Sequence, residues 1–256
     1  MKNSRGFLAL AIVLGFALLT SSVLTAGSRE RRPRLASTVY PAETVVVNGQ
    51  TRTYRMDVPL ANVATVPTAI VFGFHGRGGT GPKFAVQTGF NQMVASENFI
   101  LVCPNGVNNE WGSELDTGAK DLAMFDAILS AVSARFAIDP DRVFVTGMSS
   151  GARFSHLLAA ERSDVIAAVA PHSGMLGKWA KDGINASRSY PVFVIHGVND
   201  TLIPVDRARE ARELYEFEGH FVKYLEIPNL GHDWATSYGI TPQIWNFFTE
   251  HPRDGF

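Results

Sequence analysis

The sequence predicts an α/β fold, a mostly parallel sheet with helices on both faces, on three observations. Short apolar runs of strand length recur at 68–74 (TAIVFGF), 99–104 (FILVCP), 142–147 (RVFVTG), 165–171 (VIAAVAP) and 190–197 (YPVFVIHG). These runs lack the alternation of a strand with one wet face, so both faces of the sheet must be covered. Segments of helical period separate them at 84–97, 119–136, 151–161, 205–218 and 240–249, as in parallel crossover units. Sheets of this kind bind ligands at the carboxyl ends of their strands.

The remaining elements follow in chain order. Lys2 and Arg5 precede an apolar stretch at 7–19 and the run TSSVLTAG, the layout of a secretory signal cut after Ala26. The expected destination is therefore secreted or periplasmic. In the rival reading, residues 7–24 stay as a membrane anchor, with Arg29, Arg31, Arg32 and Arg34 beyond them. Residues 27–40 lack apolar periodicity and read as a linker, which leaves 41–256 as one domain. It opens with ETVVV, the turn residues Asn48 and Gly49, and the alternating TRTYRMDVP, together a β-hairpin. The last predicted strand is VKYLEIP at 222–228.

Charge and cysteine content exclude several classes. The 24 acidic and 23 basic residues leave a net charge of −1. Removing residues 1–26, which hold Lys2, Arg5 and no acid, leaves 24 acidic against 21 basic residues, or −3. Neither balance suits an electrostatic nucleic-acid binder. Cys103 is the only cysteine, so neither an intrachain disulfide nor a thiolate metal cluster can form. No cluster has metal-ligand spacing, and the chemistry read below needs neither metal nor cofactor.

That chemistry begins at GMSSG (147–151), where a predicted strand runs into a predicted helix. The flanking glycines let the chain turn tightly and lift the central serine out of the sheet, so Ser149 is the candidate nucleophile. Ser150 follows it, and its backbone amide is the candidate for one oxyanion donor. A serine hydroxyl is a weak nucleophile without a base and an orienting acid. Asp200 lies just past the strand ending at 197, and His232 just past the strand at 222–228. The order Ser149, Asp200, His232 is the one found on α/β-hydrolase sheets. The glycine-rich loop HGRGGT (75–80) would supply the second oxyanion donor from the backbone of Arg77. It has neither the Walker ending nor the Rossmann spacing of a phosphate loop.

Other residues carry blander readings. His75 and His196 precede glycines at strand ends and read as structural hydrogen-bonders; His156 lies within the helix after Ser149, and His220 and His251 read as surface residues. Asp206 is an alternative orienting acid, but it falls in a helical pattern, and Asp233 is too close to His232 to reach back to its ring. Around the cleft, His172, Trp111, Trp179 and Trp234 are candidate substrate contacts, with packing under loops as the alternative. The span between the strands at 165–171 and 190–197 is too short for a large lid, which suits short acyl groups or polymer-borne esters.

These residues resemble the α/β-hydrolases of the secreted feruloyl esterase, acetylxylan esterase and polyhydroxybutyrate depolymerase group. The resemblance covers most of 43–250 and rests on HGRGG, CPNG with Trp111, DLAMFDAILSAVSARFAIDPDRVFVTGMSSG, AAVAPHSG, HGVNDTLIP and NLGHDW. It implies that 41–256 is a catalytic domain with a minimal lid, using Ser149, Asp200 and His232 as a triad. It also implies a small-molecule or polymer-borne carboxylic ester as substrate: a plant phenolic ester, an acetylated polysaccharide or a polyhydroxyalkanoate. Relatives often carry Cys where this chain has Arg77, and Trp-Pro-Gly after the histidine where this chain has Asp233, Trp234 and Ala235. A catalytically silent binding protein and a serine peptidase are the competing expectations. The intact set of residues argues against the first, and the lack of room for a substrate-selecting domain argues against the second.

Overall fold

Alternation within each apolar strand decides which layer every side chain joins. The computed structural model describes residues 36–60 and 65–253; the signal or anchor reading and residues 27–35 of the predicted linker lie outside them. In β3 (Thr68–Phe74), Ile70 and Phe72 pack on one face with Phe125 and Ile128, whereas Ala69 and Val71 pack on the other with Phe90 and Val94. β4 (Phe99–Pro104) and β5 (Ile138–Met148) divide in the same way, Ile100, Val102 and Val145 to the first face and Leu101 and Phe144 to the second. Two apolar cores result, one on each side of a single sheet.

The sheet has eight strands in the order β1-β2-β4-β3-β5-β6-β7-β8. β1 (Ser37–Val47) and β2 (Gln50–Pro59) form the expected hairpin, and β2 pairs antiparallel with β4. Every later pairing is parallel, through β6 (Ala168–His172), β7 (Val192–Gly197) and β8 (Val222–Ile227). α3 (Leu115–Ser133), α4 (Ser150–Glu161) and α5 (Asp206–Phe217) contribute to the first core. α1 (Gly81–Thr88), α2 (Phe90–Glu97) and α6 (Ile240–Glu250) contribute to the second.

Three expectations are corrected. β1 begins at Ser37, inside the stretch read as linker; its side chains are mostly half-buried or exposed, so apolar periodicity there is weak. The single helix expected at 84–97 is two, because Gly89 takes φ 77° and closes α1 with its N–H on the Val86 carbonyl. A left-handed residue ends a helix, and glycine adopts it without a Cβ clash. α3 starts at Leu115 rather than 119, capped reciprocally by Glu114 and Thr117, a signal hidden by Gly118 in its first turn.

Candidate active site

β5 carries the chain into Ser149, which has φ 57° and ψ −117°, a sparsely populated conformation for a residue with a side chain. The residues two before and two after it must be glycine. A Cβ on Gly147 would lie 2.5 Å from the Gly151 carbonyl oxygen, and one on Gly151 would lie 2.2 Å from that of Phe74. The turn is held by the Ser149 amide donating to the His172 carbonyl at 3.0 Å.

The loops after β7 and β8 meet this hydroxyl. Val198 N donates to Ile227 O at 3.0 Å and Asn199 N to Leu230 O at 2.9 Å, tying the two loops together. His232 Nε2 lies 2.8 Å from Ser149 Oγ, and His232 Nδ1 lies 2.7 Å from Asp200 Oδ2. Because the carboxylate accepts, Nδ1 carries the proton and Nε2 is free to accept from the hydroxyl. Asp200 Oδ1 accepts from the amides of Leu202 and Ile203, each at 2.9 Å. Burial pushes the Asp200 carboxyl up, but the bonds from Ile203, His232 and Leu202 outweigh it and hold its pKa below the usual value.

The structure brings Ser149, Asp200 and His232 into one hydrogen-bonded chain, with Ser150 and Arg77 on the same cleft of about 840 Å3. Ser150 opens α4, so its amide has no intrahelical acceptor. Among the described residues the Arg77 amide has no backbone acceptor either. The loop passes close to the serine: a Cβ on Gly76 would be 3.4 Å from Ser149 Cβ. His75 braces that loop, Nδ1 donating to Gly76 O at 2.7 Å and Nε2 accepting from Gly106 N at 3.1 Å. Its burial lowers its pKa, which suits this neutral tautomer.

The other candidate contacts divide. Trp234 borders the cleft while its Nε1 donates to Thr241 Oγ1. Trp111 does not border it: the ring stacks on Phe154 and its Nε1 donates to the His75 carbonyl at 2.8 Å. Trp179 also lies away from the lining, in the 3-10 turn Lys178–Asp182, where a Cβ on Gly177 would lie 2.5 Å from its ring. His172 is fully buried under Trp234, rings 4.8 Å apart, with Nε2 accepting from Ala235 N. It braces the His232 loop from beneath and is not part of the lining.

His220 and His251 are buried, not at the surface: Nδ1 of His220 accepts from Tyr190 N, and Nδ1 of His251 bonds Phe247 O. His196 is also fully buried, its Nε2 2.8 Å from Ile203 O and 3.2 Å from Asp200 Oδ2, so it steadies the acid from behind. Asp206 opens α5 and pairs with Arg209. Sequence reasoning missed Lys83, Arg153, Arg207, Met148 and Leu202, which border the cleft. Their nearness to Ser149 and Asp200 along the chain was the available signal for the last four. Ser150 also borders this cleft, and its buried Oγ has no hydrogen-bond partner.

Comparison with known proteins shows the family and the fold. A family model described as Esterase PHB depolymerase matches residues 54–212. Probable feruloyl esterase C of Aspergillus terreus is 32% identical over 201 residues, 76% of this chain and 69% of that protein. Feruloyl esterase C of Emericella nidulans is 33% identical over 167 residues, 62% of this chain and 58% of that protein. Among solved structures, an acetyl xylan esterase from Aspergillus awamori superposes with TM-score 0.66 at 18% identity, covering 81% of this chain and 99% of that one. The fold is that of the α/β-hydrolases.

Proposed function

This chain belongs to the esterase PHB depolymerase family and is by that kinship a carboxylic ester hydrolase; from that premise we propose that it cleaves short-acyl, phenolic or polymer-borne esters through an acyl-enzyme. The observation carrying this reading is the 2.8 Å approach of His232 Nε2 to Ser149 Oγ, backed by Asp200. His232 takes the hydroxyl proton as Oγ attacks the ester carbonyl, and Asp200 fixes the tautomer and steadies the imidazolium. The Arg77 and Ser150 amides receive the oxyanion, with about 3 kcal/mol at stake for each donor. The imidazolium then gives its proton to the departing alcohol. Water, deprotonated by the same imidazole, releases the acid and restores the serine.

The short crossover between β6 and β7 supports small or polymer-borne esters, since its one regular element is the turn Lys178–Asp182. A polyester substrate is the second reading, favoured by Leu202, which is 73% exposed at the cleft. Residues 1–26 are proposed to direct export; among the described residues no helix is long and apolar enough to cross a membrane. Hydrolysis of p-nitrophenyl acetate by the wild type and by Ser149→Ala tests the mechanism. We expect the variant to fall to the uncatalysed background, and equal rates in the two proteins would favour a silent binding scaffold. Release of ferulate, of acetate from xylan and of 3-hydroxybutyrate then separates the substrate classes.

A further inference from the structure

The cleft holding Ser149 and His232 is bordered by four cations, Arg77, Lys83, Arg153 and Arg207, and by no aspartate or glutamate. Such segregation stands out in a chain with 24 acids and 23 bases. The four come from separate places. Arg77 lies in the loop between β3 and α1, and Lys83 in the first turn of α1. Arg153 sits one turn into α4, its amide bonded to the Ser149 carbonyl at 3.0 Å. Arg207 lies in the first turn of α5.

Their acidic partners stand outside the lining and hold them weakly. Arg77 meets Glu110, and Arg207 meets Glu210 at 2.8 Å, with both arginines more than half exposed. Exposed pairs of this kind are readily exchanged. Arg153 Nη2 is 3.6 Å from Glu114, whose two oxygens already accept from the amides of Lys178 and Trp179 at 3.1 Å each. The buried Nε of Arg153 has no partner. Lys83 is exposed and has no ion-pair partner among the described residues.

Cations gathered around a nucleophile, with their acidic partners outside the cleft lining, concentrate negatively charged ligands there and form charge-assisted bonds with them. We infer that the preferred substrate is an ester carrying a second, ionised carboxylate, docked by Lys83 and Arg153 beside Ser149. That carboxylate could belong to the acyl part, as in a dicarboxylic acid monoester, or to the alcohol part, as in an ester of a hydroxy acid or uronate. The inference rests on the ester-hydrolase reading above.

Two matched pairs of substrates test it and separate the two sources. Phenyl hydrogen adipate and its amide isostere phenyl adipamate probe the acyl side; para-acetoxybenzoate and para-acetoxybenzamide probe the alcohol side. At low salt the carboxylate member of at least one pair is expected to show a kcat/KM about tenfold higher, carried mostly by KM. High salt should shrink that ratio, and so should the charge reversal Lys83→Glu at an exposed position. Ratios of one or less in both pairs, with the neutral members turned over well above the Ser149→Ala background, would overturn the inference while leaving the hydrolase intact. If no member is turned over above that background, the hydrolase reading itself fails and takes this inference with it.

Discussion

Asp200→Asn is the substitution that separates orientation from mere presence at this site. Asp200 Oδ1 accepts from the amides of Leu202 and Ile203, and an asparagine carbonyl in the same place keeps both bonds. The NH2 group must then replace Oδ2, 2.7 Å from His232 Nδ1 and 3.2 Å from His196 Nε2. Donor would face donor, so the His232 ring must move its proton to Nε2, where it can no longer accept from Ser149. Turning the amide over restores His232 but sets NH2 against two backbone N–H groups. The wrong tautomer is expected to lower kcat about 10^4-fold, or ~5.5 kcal/mol. The unmatched buried donor should cost about 1–3 kcal/mol of stability. Steady-state hydrolysis of an aryl acetate, with a urea melt of each protein, measures both. A folded variant that keeps its rate within tenfold of the wild type would refute the orienting role.

Two further outcomes concern stability. His156 and His172 are held near a pKa of about 3 by burial, with His172 further depressed by His196 and His232. Folded, they stay neutral while the unfolded chain takes up protons below about 6.5, so stability should fall as pH drops from there toward 3. His156→Gln should flatten that fall in urea midpoints taken from pH 7 to 4. The buried ion pair Arg52–Asp121, 2.7 Å apart, also has Asp121 Oδ2 accepting from Gly112 N. Asp121→Ala strands the guanidinium and should cost ~3–5 kcal/mol in chemical denaturation, whereas Arg52→Met with Asp121→Leu should cost less.

The strands that build both cores were legible because their residues, such as Ile70 and Val71, are apolar on both faces, a pattern few loops produce. The approach of Ser149, Asp200 and His232 was legible for a topological reason. Each lies in the turn or loop after a strand, β5, β7 or β8, and parallel strands put such loops on one edge. What escaped depended on which way a side chain turns. The rings of Trp111 and His172 serve packing and bracing and Trp179 lies off the lining, and no spacing rule tells which side of a loop meets the cleft. His220 and His251 looked like surface residues because they flank polar stretches, but Phe221 and Tyr190 cover them. The onset of β1 and the break at Gly89 needed backbone geometry that residue type only weakly encodes.

None of the four cations around the cleft hydrogen-bonds through its side chain to Ser149, His232 or Asp200. Tuning what enters and preserving how it reacts are thus separate problems for this scaffold. On the inference above, substitution at residue 83 or 207 is expected to shift substrate preference while His232 Nε2 keeps its 2.8 Å distance to Ser149 Oγ.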